Sequence, residues 1–205
     1  MLNILRSRWT LPVAGLVIGL AAVIILWDLV RPHTFAGTVM QSPQPAYSFT
    51  LTGPGNQPVS LEDLRGKVVL LFFGYTSCPD VCPTTLYEMR AMLDALGSRA
   101  AQAQVVFVSV DPEKDTPQRM QAYLANIDSE ERFLGLTGDL DTLNEIAAQY
   151  GIFFQKRIIS ETGAYLIDHT ATVLLVDGEG YLRVVYPYGT PGEAIAADVR
   201  YILKH

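Results

Sequence analysis

The chain is 205 residues long, 49% hydrophobic and 18% charged, which provides for one globular domain with a full core and leaves a surplus of apolar residues to place. Its formal net charge is −6, and no Lys/Arg cluster in the body of the chain forms a phosphate-binding stripe, which excludes a nucleic-acid-binding surface. No internal repeat or low-complexity tract interrupts it.

The apolar surplus lies at the N-terminus. From Leu11 to Trp27 the chain carries no charge, and with Trp9 and Thr10 the run approaches the ~20 residues that a bilayer-spanning helix needs. Trp9 and Trp27 stand where interfacial aromatics belong, and Arg6, Arg8 and the terminal amine place the N-terminus on the cytoplasmic side. The expected organisation is a cytoplasmic end (1–10), a transmembrane anchor (11–30), a linker (31–45) and an extracytoplasmic domain (46–205), a single-pass protein of the cell membrane. The competing reading is a signal peptide cleaved near Thr34-Phe35-Ala36, but the apolar run exceeds the ~7–15 residues of such a segment. Either way the domain lies outside the cytoplasm.

Residues 31–45 are rich in Pro, Gly, Ser and Thr, the composition of a tether. Ser60-Leu61-Glu62-Asp63 has the form of a capping box for a short turn, ended by Gly66. Val68 to Phe73 is an unbroken apolar run, expected as a buried central strand that leads into Cys78-Pro79-Asp80-Val81-Cys82-Pro83 and then a helix over about Thr84 to Leu96. A second apolar run, Val105 to Val110, follows one helix later, the βαβ pattern of a parallel sheet.

Thr116 and Pro117 open a helix to about Asn126, and Asp139 caps another to about Tyr150. Val173 to Val176 and Leu182 to Tyr186 flank a glycine-bearing turn as a β-hairpin, and Thr190-Pro191 begins a closing helix through Ile202. Phe72, Phe73, Phe153 and Phe154 read as core. This order, with a cysteine pair after the first core strand, is a thioredoxin-like α/β arrangement: a three-layer sandwich with a mixed central sheet, preceded by the transmembrane helix.

Cys78 and Cys82 are the only cysteines and stand four residues apart. If Pro83 opens the helix at its first position, Cys82 sits at the N-cap and Cys78 just before it, both facing the positive end of the helix dipole. That field favours thiolate, the species that binds a soft metal or attacks a disulfide, so the pair is a metal clip or a redox pair. In an oxidising compartment it needs a metal or a reductant to persist.

A third ligand would decide. Of three histidines, His33 is in the tether, His205 is the last residue, and His169 alone lies within the folded region, just before the hairpin. In thioredoxin-like domains the loop entering that hairpin packs against the cysteine motif and usually carries a proline; here it has none, and His169 takes its neighbourhood. Two thiolates and one imidazole suit Cu(I), tolerate Cu(II), and fall one ligand short of a structural zinc site. Asp168 either orients the imidazole or caps a turn. The turn residues Asp111-Pro112 and Asp115-Thr116-Pro117 read as bend and helix-start chemistry ahead of any contact with metal or partner.

Three segments now resemble the Sco/SenC copper chaperones in order and spacing: Phe73 to Pro83, Ser109 to Pro117, and Asp168-His169-Thr170. The likeness covers roughly residues 45–203. It implies a membrane-anchored thioredoxin-like domain binding copper through Cys78, Cys82 and His169, with Cys78 and Cys82 also the redox pair. It further implies assembly of the dinuclear copper centre of cytochrome c oxidase subunit II, with another copper chaperone or a thiol reductant as a further partner. Ser77 stands where members often carry His, and Thr170 where they carry Ser; neither change removes a ligand.

Two other functions compete. An extracytoplasmic thiol-disulfide oxidoreductase would use the same cysteines without His169, since residues four apart in a helix lie within disulfide reach. A thiol peroxidase would oxidise one cysteine and resolve it with the other, but no Arg is evident beside the motif.

Overall fold

The computed structural model describes residues 32–130 and 132–204, with Leu16, Ile18, Gly19, Leu20 and Val23 ahead of them. The chain divides into two units, Met1–Thr34 and Phe35–His205. In the first, Leu16, Ile18, Gly19, Leu20 and Val23 are helical while Pro32, His33 and Thr34 are not, and Leu16, Ile18, Leu20 and Val23 are exposed. The rest of the expected anchor, its flanking Trp9, Trp27, Arg6 and Arg8, and the cytoplasmic end lie outside the described residues, as does His205. Among the described residues no helix is long and apolar enough to cross a membrane.

In the second unit the unbroken apolar run forms β4 (Val68–Gly74), buried along its whole length. It pairs in parallel with β5 (Ala103–Ser109), which pairs in parallel with β6 (Phe133–Leu136). On its other edge β4 pairs antiparallel with β9 (Val173–Val176), which forms the expected hairpin with β10 (Tyr181–Tyr186). Gly180, at φ +82°, takes the left-handed position of that turn, where only glycine is free of strain. With β1 (Thr38–Pro45) at its edge, the sheet order is β1-β10-β9-β4-β5-β6, mixed as expected.

The outermost strand, β1 (Thr38–Pro45), corrects the expected linker at 31–45, because it pairs antiparallel with β10 and extends the domain upstream of Ala46. Its prolines disguised it. An edge strand leaves alternate N–H groups unpaired, so Pro43 and Pro45 are tolerated there, and the register slips between Val39 and Gln44. Two small antiparallel pairs were not expected: β2 (Thr50–Thr52) with β3 (Pro58–Ser60), and β7 (Phe154–Ile158) with β8 (Tyr165–His169). Between β3 and β4 the capping box forms as written, Asp63 Oδ2 accepting from Ser60 N (2.8 Å) and Ser60 Oγ from Asp63 N (3.3 Å).

Among the described residues, four α-helices accompany the sheet: α1 (Val81–Leu96), α2 (Pro117–Ile127), α3 (Leu140–Gln149) and α4 (Gly192–Ile202). Side chains alternate across a strand, so Phe72 and Phe107, paired in register, face one way, toward Tyr123 of α2 and Cys82 of α1. Phe73 faces the other way, onto Tyr150 at the end of α3. Helices therefore cover both faces, and the three-layer expectation holds. Phe72 and Phe73 are fully buried, but Phe153 is 62% exposed and so leaves the expected core set. It sits at the root of the β7–β8 hairpin, which stands apart from the main sheet.

Candidate metal centre

Cys78 lies in the loop after β4, and Cys82 in the first turn of α1. The helix begins at Val81, two residues before Pro83, which occupies its third position and not the expected first. The shift costs nothing, because the first four N–H groups of a helix have no intrahelical partner to lose. It places Cys82 inside the helix, fully buried, while Cys78 remains partly exposed. Cys82 N–H donates to Cys78 Sγ at 3.4 Å, the anion-favouring geometry of a helix N-terminus.

The hairpin β7–β8 delivers His169 from the opposite side, as the last residue of β8. Its Nε2 lies 3.4 Å from Cys82 Sγ, and its Nδ1 lies 3.2 Å from the Thr170 carbonyl oxygen. The carbonyl accepts a proton-bearing Nδ1, so the lone pair is left at Nε2, facing the sulfurs. Phe72 and Tyr75 hold the ring edge-on, with centroids 6.1 and 5.9 Å away. Asp168 does neither of the things expected of it: its carboxylate pairs with Arg157 at 2.9 and 3.2 Å on the exposed side of the hairpin. Neighbouring residues on a strand point to opposite faces, so His169 and Asp168 look apart.

The donor atoms of Cys78, Cys82 and His169 all lie within 4.8 Å of one another. Three ligands around one small ion sit on the order of 4 Å apart, so the spacing fits a metal with little rearrangement. Cys78 and His169 line an open groove of 280 Å³ shared with Tyr75, Asp80 and Ala171, while Cys82 is buried and does not line it. The two thiols are not equivalent. A hydrogen bond from the Cys82 thiol, with the Cys82 and Asp80 backbone N–H groups, holds Cys78 far below the ordinary thiol range against the opposing cost of its burial. The same bond, burial and the Cys78 charge push Cys82 upward. Of the two, Cys78 is the one biased toward thiolate and Cys82 the one biased toward thiol.

Residues that the motifs alone did not reveal shape this arrangement. Gly74, at the end of β4, allows the Cys82 sulfur to pack where a side chain would otherwise stand. Tyr75 Oη accepts from Ile167 N (3.2 Å), tying the cysteine loop to the histidine strand. Tyr75→Phe should lower stability by about 1–3 kcal/mol, because it strands a buried N–H; a urea unfolding midpoint equal to the native one would show that the bond carries no weight.

The 111–115 turn also exceeds its expected role. Its backbone closes the bend, with Asp111 carbonyl accepting from Lys114 N and Asp115 N, and Thr116 caps α2 through Arg119 N. In addition, Asp111 accepts from Tyr165 Oη of β8 at 2.9 Å. Asp115, fully buried, accepts from Thr76 in the cysteine loop. Arg119, absent from the motif, folds in to Thr76 and Ser77, where its guanidinium is engaged by their hydroxyls.

Fold and donor set together define a thioredoxin-like domain with a Cys2His cluster at the carboxyl end of its central strand. The SCO1/SenC family pattern matches residues 39–204, and the chain belongs to that family. A Stutzerimonas stutzeri protein is 39% identical over 134 residues, 65% of this chain; the match spans 64% of that relative's length. The solution structure of apo Sco1 from Thermus thermophilus shares 41% identity at a TM-score of 0.74, covering 83% of this chain and 98% of the other. ScoI of Bradyrhizobium japonicum, solved with copper bound, shares 37% at 0.71, covering 78% and 100%. BsSco, described as a member of the Sco family of cytochrome c oxidase assembly proteins with a disulfide switch, shares 26% at 0.63, covering 80% and 98%. At 16% identity and a TM-score of 0.54, the thioredoxin domain of a Bacteroides vulgatus thiol-disulfide oxidoreductase shares the fold alone, over 80% and 99% of the two chains.

Proposed function

We propose that this protein is a copper chaperone that holds Cu(I) through Cys78, Cys82 and His169 and serves maturation of the dinuclear copper centre in subunit II of cytochrome c oxidase. The observation that carries the reading is the meeting of two sulfurs and one imidazole nitrogen, with Cys78 and His169 lining an open groove. Soft donors of low number match Cu(I), and the open side leaves room for a client's ligand to displace one of them during transfer. Relatives solved with copper, and one described by its role in oxidase assembly, support the same reading. The apolar N-terminal sequence, helical and exposed at Leu16, Ile18, Leu20 and Val23, supports anchoring through residues 11–30, with the domain extracytoplasmic. The donor of copper is then another copper chaperone, and a thiol reductant keeps the pair reduced.

A second reading is favoured by the inequality of the thiols. Cys78 is reachable and biased toward thiolate, Cys82 buried and biased toward thiol, which is the division of labour of a dithiol that reduces a client disulfide. Cys78 would attack the client disulfide and Cys82 would then close the internal disulfide, leaving the client as a dithiol. Oxidising the pair removes both sulfurs as ligands, so the two activities exclude each other at any instant.

Anaerobic titration of the reduced protein with Cu(I) against a chromogenic competitor tests the copper reading. One tightly held ion is expected, with about one proton released, from Cys82, so apparent affinity should rise about tenfold per pH unit around neutrality. Release of two protons would show both thiols protonated beforehand, and no competitive uptake would leave thiol-disulfide exchange as the function.

A further inference from the structure

Asp115 is fully buried, and the groups around its carboxylate are donors from two separate parts of the chain. Thr76 N (3.0 Å) and Ser109 Oγ (2.7 Å) donate to Oδ2, and Thr76 Oγ1 (2.5 Å) donates to Oδ1. A buried carboxylate is tolerated when its lone pairs are filled in this way, and an amide in its place would turn N–H groups toward donors. On the open side Arg119 completes the arrangement. Its Nε donates to Thr76 Oγ1 (2.8 Å), its Nη2 donates to Ser77 Oγ (2.9 Å), and the guanidinium lies 3.7 Å from Asp115 Oδ1. Thr76 is thus held from below by a carboxylate and from above by a guanidinium, with Cys78 two residues further on. Cys78 N in turn donates to Tyr75 O (3.2 Å), on the near side of the clamped residue.

We propose that Asp115, Thr76 and Arg119 form a brace that sets the position of the Cys78 sulfur, with all three acting as positioning residues for the metal centre. The proposal deepens the copper reading and rests on it for its functional meaning. Without the brace the loop from Tyr75 to Cys78 keeps its cysteine but not the cysteine's place opposite Cys82 and His169. Outer residues that orient ligands typically govern affinity by 10–100-fold.

The test compares Thr76→Val, which keeps shape and loses the bridging hydroxyl, with Thr76→Ser, which keeps the hydroxyl, and with Arg119→Gln on the exposed side. Asp115→Asn is the strongest variant, and the other three keep the experiment decisive if it does not fold. In copper-free reduced protein, Thr76→Val and Arg119→Gln should speed amide exchange at residues 75–78 by about tenfold or more. They should also change the rate of Cys78 alkylation by iodoacetamide, at an unchanged urea midpoint in Arg119→Gln and a lowered one in Thr76→Val, which leaves the buried carboxylate a donor short, while Thr76→Ser should behave as native. Cu(I) affinity should fall about 10–100-fold in Thr76→Val and recover in Thr76→Ser. Exchange, alkylation and affinity all equal to native in Thr76→Val and Arg119→Gln would overturn the brace. The exchange and alkylation arms use no metal, so they decide it even if the native protein takes up no Cu(I), a result that would sink the copper reading alone.

Discussion

His169→Ala should weaken Cu(I) binding by more than about 100-fold while leaving the domain folded. Loss of a residue that only orients a ligand costs 10–100-fold, and His169 supplies the ligand atom itself, so its loss exceeds that range. The fold should survive because the ring is only half-buried at a strand end, where it touches Phe72 and Tyr75 and leaves the main sheet intact. The cost in stability should stay below the ~2–5 kcal/mol of a fully buried large-to-small change. The two sulfurs remain, so formation of the Cys78–Cys82 disulfide should persist. Chelator competition, circular dichroism and thiol counting on the same sample read all three effects. Native affinity in the variant would remove His169 from the ligand set and transfer the function to thiol-disulfide exchange.

Gly74→Ala should disturb the centre without touching a ligand. A Cβ built on Gly74 would stand 2.7 Å from Cys82 Sγ and 2.7 Å from Phe107 Cε2. Phe107 cannot retreat, being fully buried and stacked on Phe72 with centroids 5.9 Å apart. The displacement must therefore fall on the sulfur or on the end of β4. Overpacking of this kind costs about 1–3 kcal/mol. A sulfur moved away from His169 Nε2 should also lower Cu(I) affinity by about tenfold or more. Urea unfolding and the competition titration measure the two losses separately. Native values in both would show that the helix yields freely, and that Gly74 is not the reason for the sulfur's position.

Much of this was legible beforehand because local chemistry signals itself locally. Val68 to Phe73 could only be a strand buried on both faces, Thr116-Pro117 and Asp139 only helix starts, and each appears where expected. The two cysteines bound the chemistry through their spacing. Where reading failed, composition and structure answered different questions. Prolines in 38–45 argue for a tether, yet an unpaired strand edge accepts them; Phe153 reads as core, yet is exposed at the root of a hairpin outside the main sheet. The β7–β8 hairpin was missed because its alternation is weak: Gln155, Lys156 and Arg157 are all exposed.

The sequence by itself determined the fold class, the cysteine pair and the one histidine in a position to join it, since periodicity, capping and residue type are properties of neighbours along the chain. Tertiary structure alone decided which partners complete the site. Asp168, beside the histidine in sequence, turns away to Arg157, whereas Gly74, Asp115 and Arg119 reach the cysteines and their loop by packing. Strand alternation separates neighbours, and the return of the chain between β5 and α2 to the end of β4 brings distant residues together.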